Sequence, residues 1–204
     1  MLILPQRQTA LVAKQAAALD VLSGGRLRLG VGVGWNWVEF EALGMSFKDR
    51  GKRIEEQIAL LRRLWTEPSV TLDGTWHRLD RAGINPLPIR RPIPLWMGAD
   101  SEVALRRVAR LGDGLFAHFA PSEEGAAQAA AFWEWVKAAG RDPTDVGLEC
   151  RFGAKMSDEE FARAADRFRA MGATDFECNT MRANFTSPDE HLAAYRRFME
   201  RVTA

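Results

Sequence analysis

Six short aliphatic runs along this chain each give way to a longer helical stretch, and that alternation constrains the fold more than any single motif does. The runs are MLILP (1–5), RLRLGVGVG (26–34), IPLWMG (93–98), GLFAHF (114–119), VGLECRFGAKM (146–156) and ATDFECN (173–179). Few of them alternate strictly, as expected of strands with helices over one side and side chains filling the other. Successive right-handed βα units then give a parallel sheet. Periodicity does not say whether that sheet closes. An open doubly wound sheet fits six strands as well as a barrel does.

The helical stretches differ in how clearly they show a face. Residues 10–22 are Ala-rich, with Leu11, Gln15, Ala18 and Leu22 at near-helical spacing. In DRGKRIEEQIALLRRLW, Ile54, Ile58, Leu61 and Trp65 recur at steps of four, three and four, which predicts one buried stripe. Glu55, Glu56, Arg62 and Arg63 are then expected on the other surfaces. Ser157 with Glu160 three residues on predicts a capping box, and Ser187-Pro188 with Glu190 predicts another. Between Pro68 and Pro94 the pattern breaks, and VTLDGTWHRL reads as a hairpin insertion near 70–79 with Asp73-Gly74 at its turn.

Composition narrows the function classes. Apolar residues are 47% and charged residues 27% of 204, an ordinary globular mixture for one large domain. Lys plus Arg is 28 and Asp plus Glu is 27, so a net charge of +1 gives no reason to expect nucleic acid or an anionic membrane as partner. No apolar run approaches the ~20 residues of a spanning helix. No leader-like segment opens the chain, and Cys150 and Cys178 make no disulfide framework, so a cytoplasmic protein is expected.

Candidate site residues come from two stretches. In GVGVG, Gly30, Gly32 and Gly34 share one face if the strand runs through, with Val31 and Val33 opposite. Such a face admits a flat ring, or simply a large side chain packed from across the fold. The spacing lacks the helix opening of a dinucleotide fingerprint. Gly98-Ala99-Asp100-Ser101 joins a strand to a helix, where exposed N–H groups favour an anion and Ser101 can donate its hydroxyl. Capping of that helix by Asp100 or Ser101 accounts for the same residues without a ligand. The turn Ser23-Gly24-Gly25-Arg26 lies at the opposite strand end, with Arg26 expected to tie down that end of the fold. Arg106, Arg107 and Arg110 read as solvated or ion-paired.

His77, His118 and His191 show no metal-ligand spacing. Only His118 falls at the end of a strand run, as a structural group or a ligand contact. Glu149 and Glu177 precede the two cysteines and suit pairing with arginines. No Ser–His–Asp set, G-x-S-x-G motif or marked carboxylate pair is present, so side chains alone support catalysis poorly.

Taken in order, ILPQR, AKQAAALDVLSGGRLRLGVGVGW, EFEALG, RGKRIEEQIALLRRLW and PIPLWMGADSEVALRRVARLGDG resemble the luciferase-like monooxygenase family, in the branch that uses FMN or coenzyme F(420). The resemblance covers essentially the whole chain. It implies a TIM-barrel-like (β/α) domain over residues 1–204, incomplete because MLILPQR is similar to the end of the family's third strand. A complete barrel usually takes ~250 residues. The implied function is an FMN- or coenzyme F(420)-dependent oxidoreductase, a monooxygenase acting on a small organic substrate. Gly32, Gly34, Gly98, Ala99, Asp100 and Ser101 would then hold the cofactor, with a second glycine often standing in the family where Ala99 stands here. Trp35, Trp37 and His118 would line the substrate pocket. The family's first two strands supply the acidic and histidine residues nearest the ring, so the catalytic residues stay unknown. A flavin or F(420) reductase partner and a homodimer or higher oligomer are also implied. The competing expectations are a catalytically inactive dimeric binding or structural protein, and a sugar-phosphate enzyme sharing only the phosphate site.

Overall fold

A computed structural model describes residues 1–203. The chain is α/β, and its elements fall into two compact units. The first unit comprises residues 1–98 and 111–114, and the second comprises residues 99–110 and 115–204.

In the first unit β1 (Leu2–Ile3) is followed by a 3-10 turn at Leu4–Gln6, then α1 (Thr9–Leu22) and β2 (Leu29–Gly32). Helices α2 (Trp37–Ala42) and α3 (Arg50–Thr66) come next. The antiparallel hairpin is β3 (Val70–Asp73) and β4 (Arg78–Ala82), and β5 (Leu95–Gly98) ends the main run. The parallel strands lie in the order β1-β2-β5, with Val31 as the shared residue between Leu2 and Met97. The predicted hairpin is present, and its second strand runs three residues further than expected.

The stripe expected on α3 is the core of this unit. Ile54, Ile58, Leu61 and Trp65 are all essentially buried, and Trp65 Nε1 donates to Ala13 O at 3.0 Å. Each such side chain removed from water contributes roughly 1.5–3 kcal/mol before the entropy of ordering it is subtracted. On α1 the residues at near-helical spacing are not the buried ones. Leu11 and Leu22 are exposed, and Val12, Ala13, Ala16, Ala17 and Asp20 are buried instead. Alanines there let the helix backbone approach α3 closely, so the small residues face inward and the leucines do not.

Three charged residues also sit differently from expectation. Glu56 accepts from the backbone N–H of Thr75 and Trp76 at the hairpin turn, at 2.8 and 3.0 Å, rather than facing solvent. Arg62 reaches Asp113 at 2.9 Å, and the other Asp113 oxygen accepts from Leu95 N–H, capping the start of β5. Among the described residues Arg26 bonds within its own turn, to Ser23, where Gly24 and Gly25 take positive φ.

The second unit opens with α4 (Glu102–Leu111), whose last residue belongs to the first. It continues with β6 (Gly114–Phe116), which begins in the first unit, then α5 (Glu123–Ala138), β7 (Gly147–Gly153), α6 (Asp158–Ala170), β8 (Asp175–Asn179) and α7 (Pro188–Thr203). Its strands run β6-β7-β8, and β7 and β8 are parallel with Arg151 opposite Glu177. The capping box at Ser157 and Glu160 forms as predicted. Ser187 and Glu190 likewise exchange bonds, at 3.0 and 3.4 Å. Phe152 sits at the centre of the core, with the rings of Phe161, Phe168, Phe176 and Phe198 at 4.4 to 5.9 Å. Arg107 is buried rather than solvated. Among the described residues no helix is long and apolar enough to cross a membrane.

Candidate functional site

In the first unit the glycines of GVGVG do not form one continuous face. Strand β2 ends at Gly32, and Gly34 lies beyond it with φ +74°. A Cβ at Gly34 would meet Ile3 Cγ2 at 2.7 Å and Phe40 Cε2 at 3.0 Å, so this position admits a packed core and offers no open floor. Gly32 and Gly98 do come together, beneath Met1. A Cβ on either would touch the Met1 thioether, at 2.9 and 2.6 Å. Met1 is itself 67% exposed, so what covers this pair of glycines is the end of a flexible side chain.

Past the strand, Arg50 donates to Gly34 O at 3.1 Å and lies over the Phe47 ring, fixing the turn. Trp35 and Trp37 follow, and both point largely to solvent, 85% and 59% exposed. Trp37 opens α2, whose N-cap Asn36 accepts from Val38 N–H.

The hairpin is fastened to this unit by a hydrogen-bonded chain that sequence reading missed. His77 Nδ1 is 2.7 Å from Glu56 Oε1, and His77 Nε2 is 2.6 Å from Thr9 Oγ1. Gln57 Nε2 donates to Thr9 Oγ1 and to Leu4 O at 3.0 Å each. The chain therefore runs from the hairpin to the segment that follows β1. Burial pushes the Glu56 carboxyl up. The bonds from His77, Trp76 and Thr75 outweigh that effect and leave it below its ordinary value.

In the second unit Ser101 caps α4, its Oγ accepting from Ala104 N–H at 3.4 Å. A hydroxyl used as acceptor still has its proton to donate, and the first N–H groups of a helix have no internal partners. Asp100 does not cap this helix. Its Oδ1 pairs with Nδ1 of His118, which lies two residues past β6. Both side chains are substantially exposed.

Beside them, Ala117, His118, Phe119, Ala120, Pro121, Arg151, Gly153 and Asn179 line an open cleft of about 310 Å³. It lies at the C-terminal ends of β6, β7 and β8, the end of parallel strands where ligand sites assemble in α/β proteins. Arg151 forms a fork with Glu177, at 3.0 and 3.3 Å, so that glutamate is an ion-pair partner, as its place before a cysteine suggested. The parallel register of β7 and β8 sets Arg151 opposite Glu177, a pairing that the matching places of Glu149 and Glu177 did not specify. Cys150 is buried, and burial together with Glu149 pushes its thiol up to about 12. Burial also raises the Cys178 thiol. His191 bonds Thr180 at 2.9 Å. Among the described residues no group of His, Cys, Asp and Glu is placed to hold a metal ion.

A family profile described as luciferase-like monooxygenase matches residues 1–202, and the chain belongs to that family. Over 170 residues it is 34% identical to the F(420)-dependent hydroxymycolic acid dehydrogenase of Mycobacterium tuberculosis, covering 81% of this chain and 47% of that protein. The FMNH(2)-dependent dimethylsulfone monooxygenase of Pseudomonas fluorescens is 36% identical over 112 residues, 53% of this chain and 30% of that one. Among solved structures, monooxygenase RslO1 from Streptomyces bottropensis shares the fold, with TM-score 0.63 and 24% identity over 98% of this chain and 66% of that one. The chain spans less than half the length of the curated relatives it matches.

Proposed function

We propose that residues 1–204 are a single (β/α) barrel-type domain that binds FMN or coenzyme F(420) and acts as an oxidoreductase, a monooxygenase on a small organic substrate. Membership of the luciferase-like monooxygenase family supports this. The observation that carries it is the Gly98–Ser101 connection, which delivers the N-terminus of α4 with a free hydroxyl proton on Ser101. A phosphate there would accept from the first N–H groups of α4 and from Ser101, favoured by the positive helix end. Asp100 turns its carboxylate to His118, which relieves the charge conflict that an acidic residue would otherwise bring to an anion site.

Gly32 and Gly98 are proposed to take a flat ring in place of the Met1 thioether, with Gly34 and Arg50 holding the adjoining turn. Such a cofactor, when bound, supplies the hydride or oxygen chemistry that the side chains lack. Trp35 and Trp37 in the first unit, and His118 in the second, are proposed as substrate-pocket residues.

We also infer a homodimer or higher oligomer. Leu11, Leu19 and Leu22 of α1 are exposed, as are Leu192, Tyr195 and Met199 of α7, and no residue of α7 is buried. Apolar helix faces of this extent are usually covered by another chain. Reduced FMN with a reductase and oxygen, and oxidised coenzyme F(420) with alcohols, are the two assays that test the activity. Oxygen uptake in the first or loss of the oxidised F(420) absorbance in the second supports the reading, and silence in both contradicts it.

A further inference from the structure

His118 and Asp100 lie at the ends of two different strands, and their side chains meet through Nδ1 and Oδ1. A carboxylate accepts, so in this pair Nδ1 is the ring's donor, and whenever the imidazole is neutral its lone pair is on Nε2. This is the arrangement in which a carboxylate fixes the tautomer of a base and stabilises the imidazolium that forms. No described residue partners Nε2, and the ring lines the cleft at the ends of β6, β7 and β8. We propose that His118 is a proton acceptor for a hydroxyl-bearing ligand in this cleft, and that Asp100 is its positioning residue.

The charges around the cleft select the ligand class. Arg151 from β7 is held in its fork by Glu177 from β8, and His118 by Asp100 from the β5–α4 connection. Arg151 is already matched by Glu177, so it is not a free cation for an anionic ligand and a neutral molecule suits the cleft. Ala117, Phe119, Ala120 and Pro121 give the cleft an apolar wall. The fitting ligand is therefore a neutral, partly apolar molecule with an acidic O–H, such as a phenol or an enol. The O–H bond breaks, its proton moves to Nε2, and the oxyanion is left facing an imidazolium. No electrons change hands in that step.

This inference deepens the proposed function by naming the substrate class of the same site, and its test needs no cofactor. The probe is p-nitrophenol, whose ionised form absorbs at longer wavelength than the phenol. At mildly acidic pH, adding excess protein should raise the phenolate band. His118→Gln should abolish that rise. Asp100→Ala should lower the ionised fraction about tenfold, equivalent to one pKa unit, and Asp100→Glu should restore it. Ring nitrogen-15 shifts supply a second readout, with His118 as the Nδ1–H tautomer in the parent and a mixture in Asp100→Ala. Absence of a phenolate rise, an equal rise in His118→Gln, or an Nε2–H tautomer in the parent would overturn the proposal. A phenolate rise in protein that takes up neither FMN nor coenzyme F(420) would sink the cofactor reading and leave this one standing.

Discussion

Glu56 of α3 holds His77 of the hairpin, with Oε1 2.7 Å from the ring Nδ1 and the turn's Thr75 and Trp76 N–H groups on the same carboxylate. One side chain thus satisfies three donors of an inserted segment. Replacing it with alanine strands those donors, and leaving buried polar groups unpaired costs roughly 1–3 kcal/mol each where water cannot reach them. Glu56→Ala should therefore lower the denaturant midpoint and speed amide exchange at Thr75 and Trp76, with little change at Leu148 in the second unit.

The same carboxylate sets a pH dependence. Its folded value is depressed below the ordinary one, so its contribution is fully present above the unfolded value and is lost as pH falls through the folded value. Stability measured from neutrality downward should decline in the acidic range. The decline should be shallower in Glu56→Gln, and identical slopes in the two proteins would contradict this.

Gly34 is expected to reject any side chain. Its φ of +74° is disfavoured for L-residues by roughly 1–2 kcal/mol, and the Ile3 and Phe40 contacts add crowding. Gly34→Ala should lose at least that much stability by chemical denaturation. A neutral result would mean that the turn relaxes and the crowding is absent.

Much of the fold could be read from the chain, and the failures have physical causes. On α3 the apolar and charged residues differ sharply, so the buried stripe was legible. On α1 the residues with the largest apolar side chains, Leu11 and Leu22, are outside, because alanines meet the neighbouring helix better at close range. The end of β2 was missed because glycine at position 34 reads as one more alternating residue until its φ is known. For the site, Gly98–Ser101 was found from its place between strand and helix. The Asp100–His118 pair was not, since nothing local links residues separated by 18 positions in the chain. Glu56 was misread for the same reason, as its partners lie about twenty residues away.

Phe152 should be the most sensitive core position of the second unit. It touches four other phenylalanine rings, and truncation of a buried phenylalanine typically costs about 3–5 kcal/mol. Phe152→Ala should unfold far more readily than Phe198→Ala, whose ring is only half-buried on α7. Thermal melts of the two variants check the order.

Cys150 should resist alkylation at neutral pH, because its thiol is pushed up to about 12 and the thiolate is the reacting form. Cys178 is less buried and should react first, though more slowly than a free thiol. Intact-mass labelling with iodoacetamide should give one adduct before two, on Cys178, and rapid double labelling would contradict the packing described.

The measurement closest to the central claim is a separate titration of FMN and coenzyme F(420) into the parent chain, Ser101→Ala and Ala99→Glu. At least one cofactor should bind with Kd well below about 1 mM. Loss of a hydrogen bond to a charged group is worth about 1.5–3 kcal/mol, so Ser101→Ala should weaken binding about tenfold or more. Ala99→Glu should abolish it by placing a carboxylate at the helix end. If neither cofactor binds more tightly than about 1 mM, the cofactor assignment is contradicted. If both variants bind like the parent, the phosphate does not sit at the N-terminus of α4.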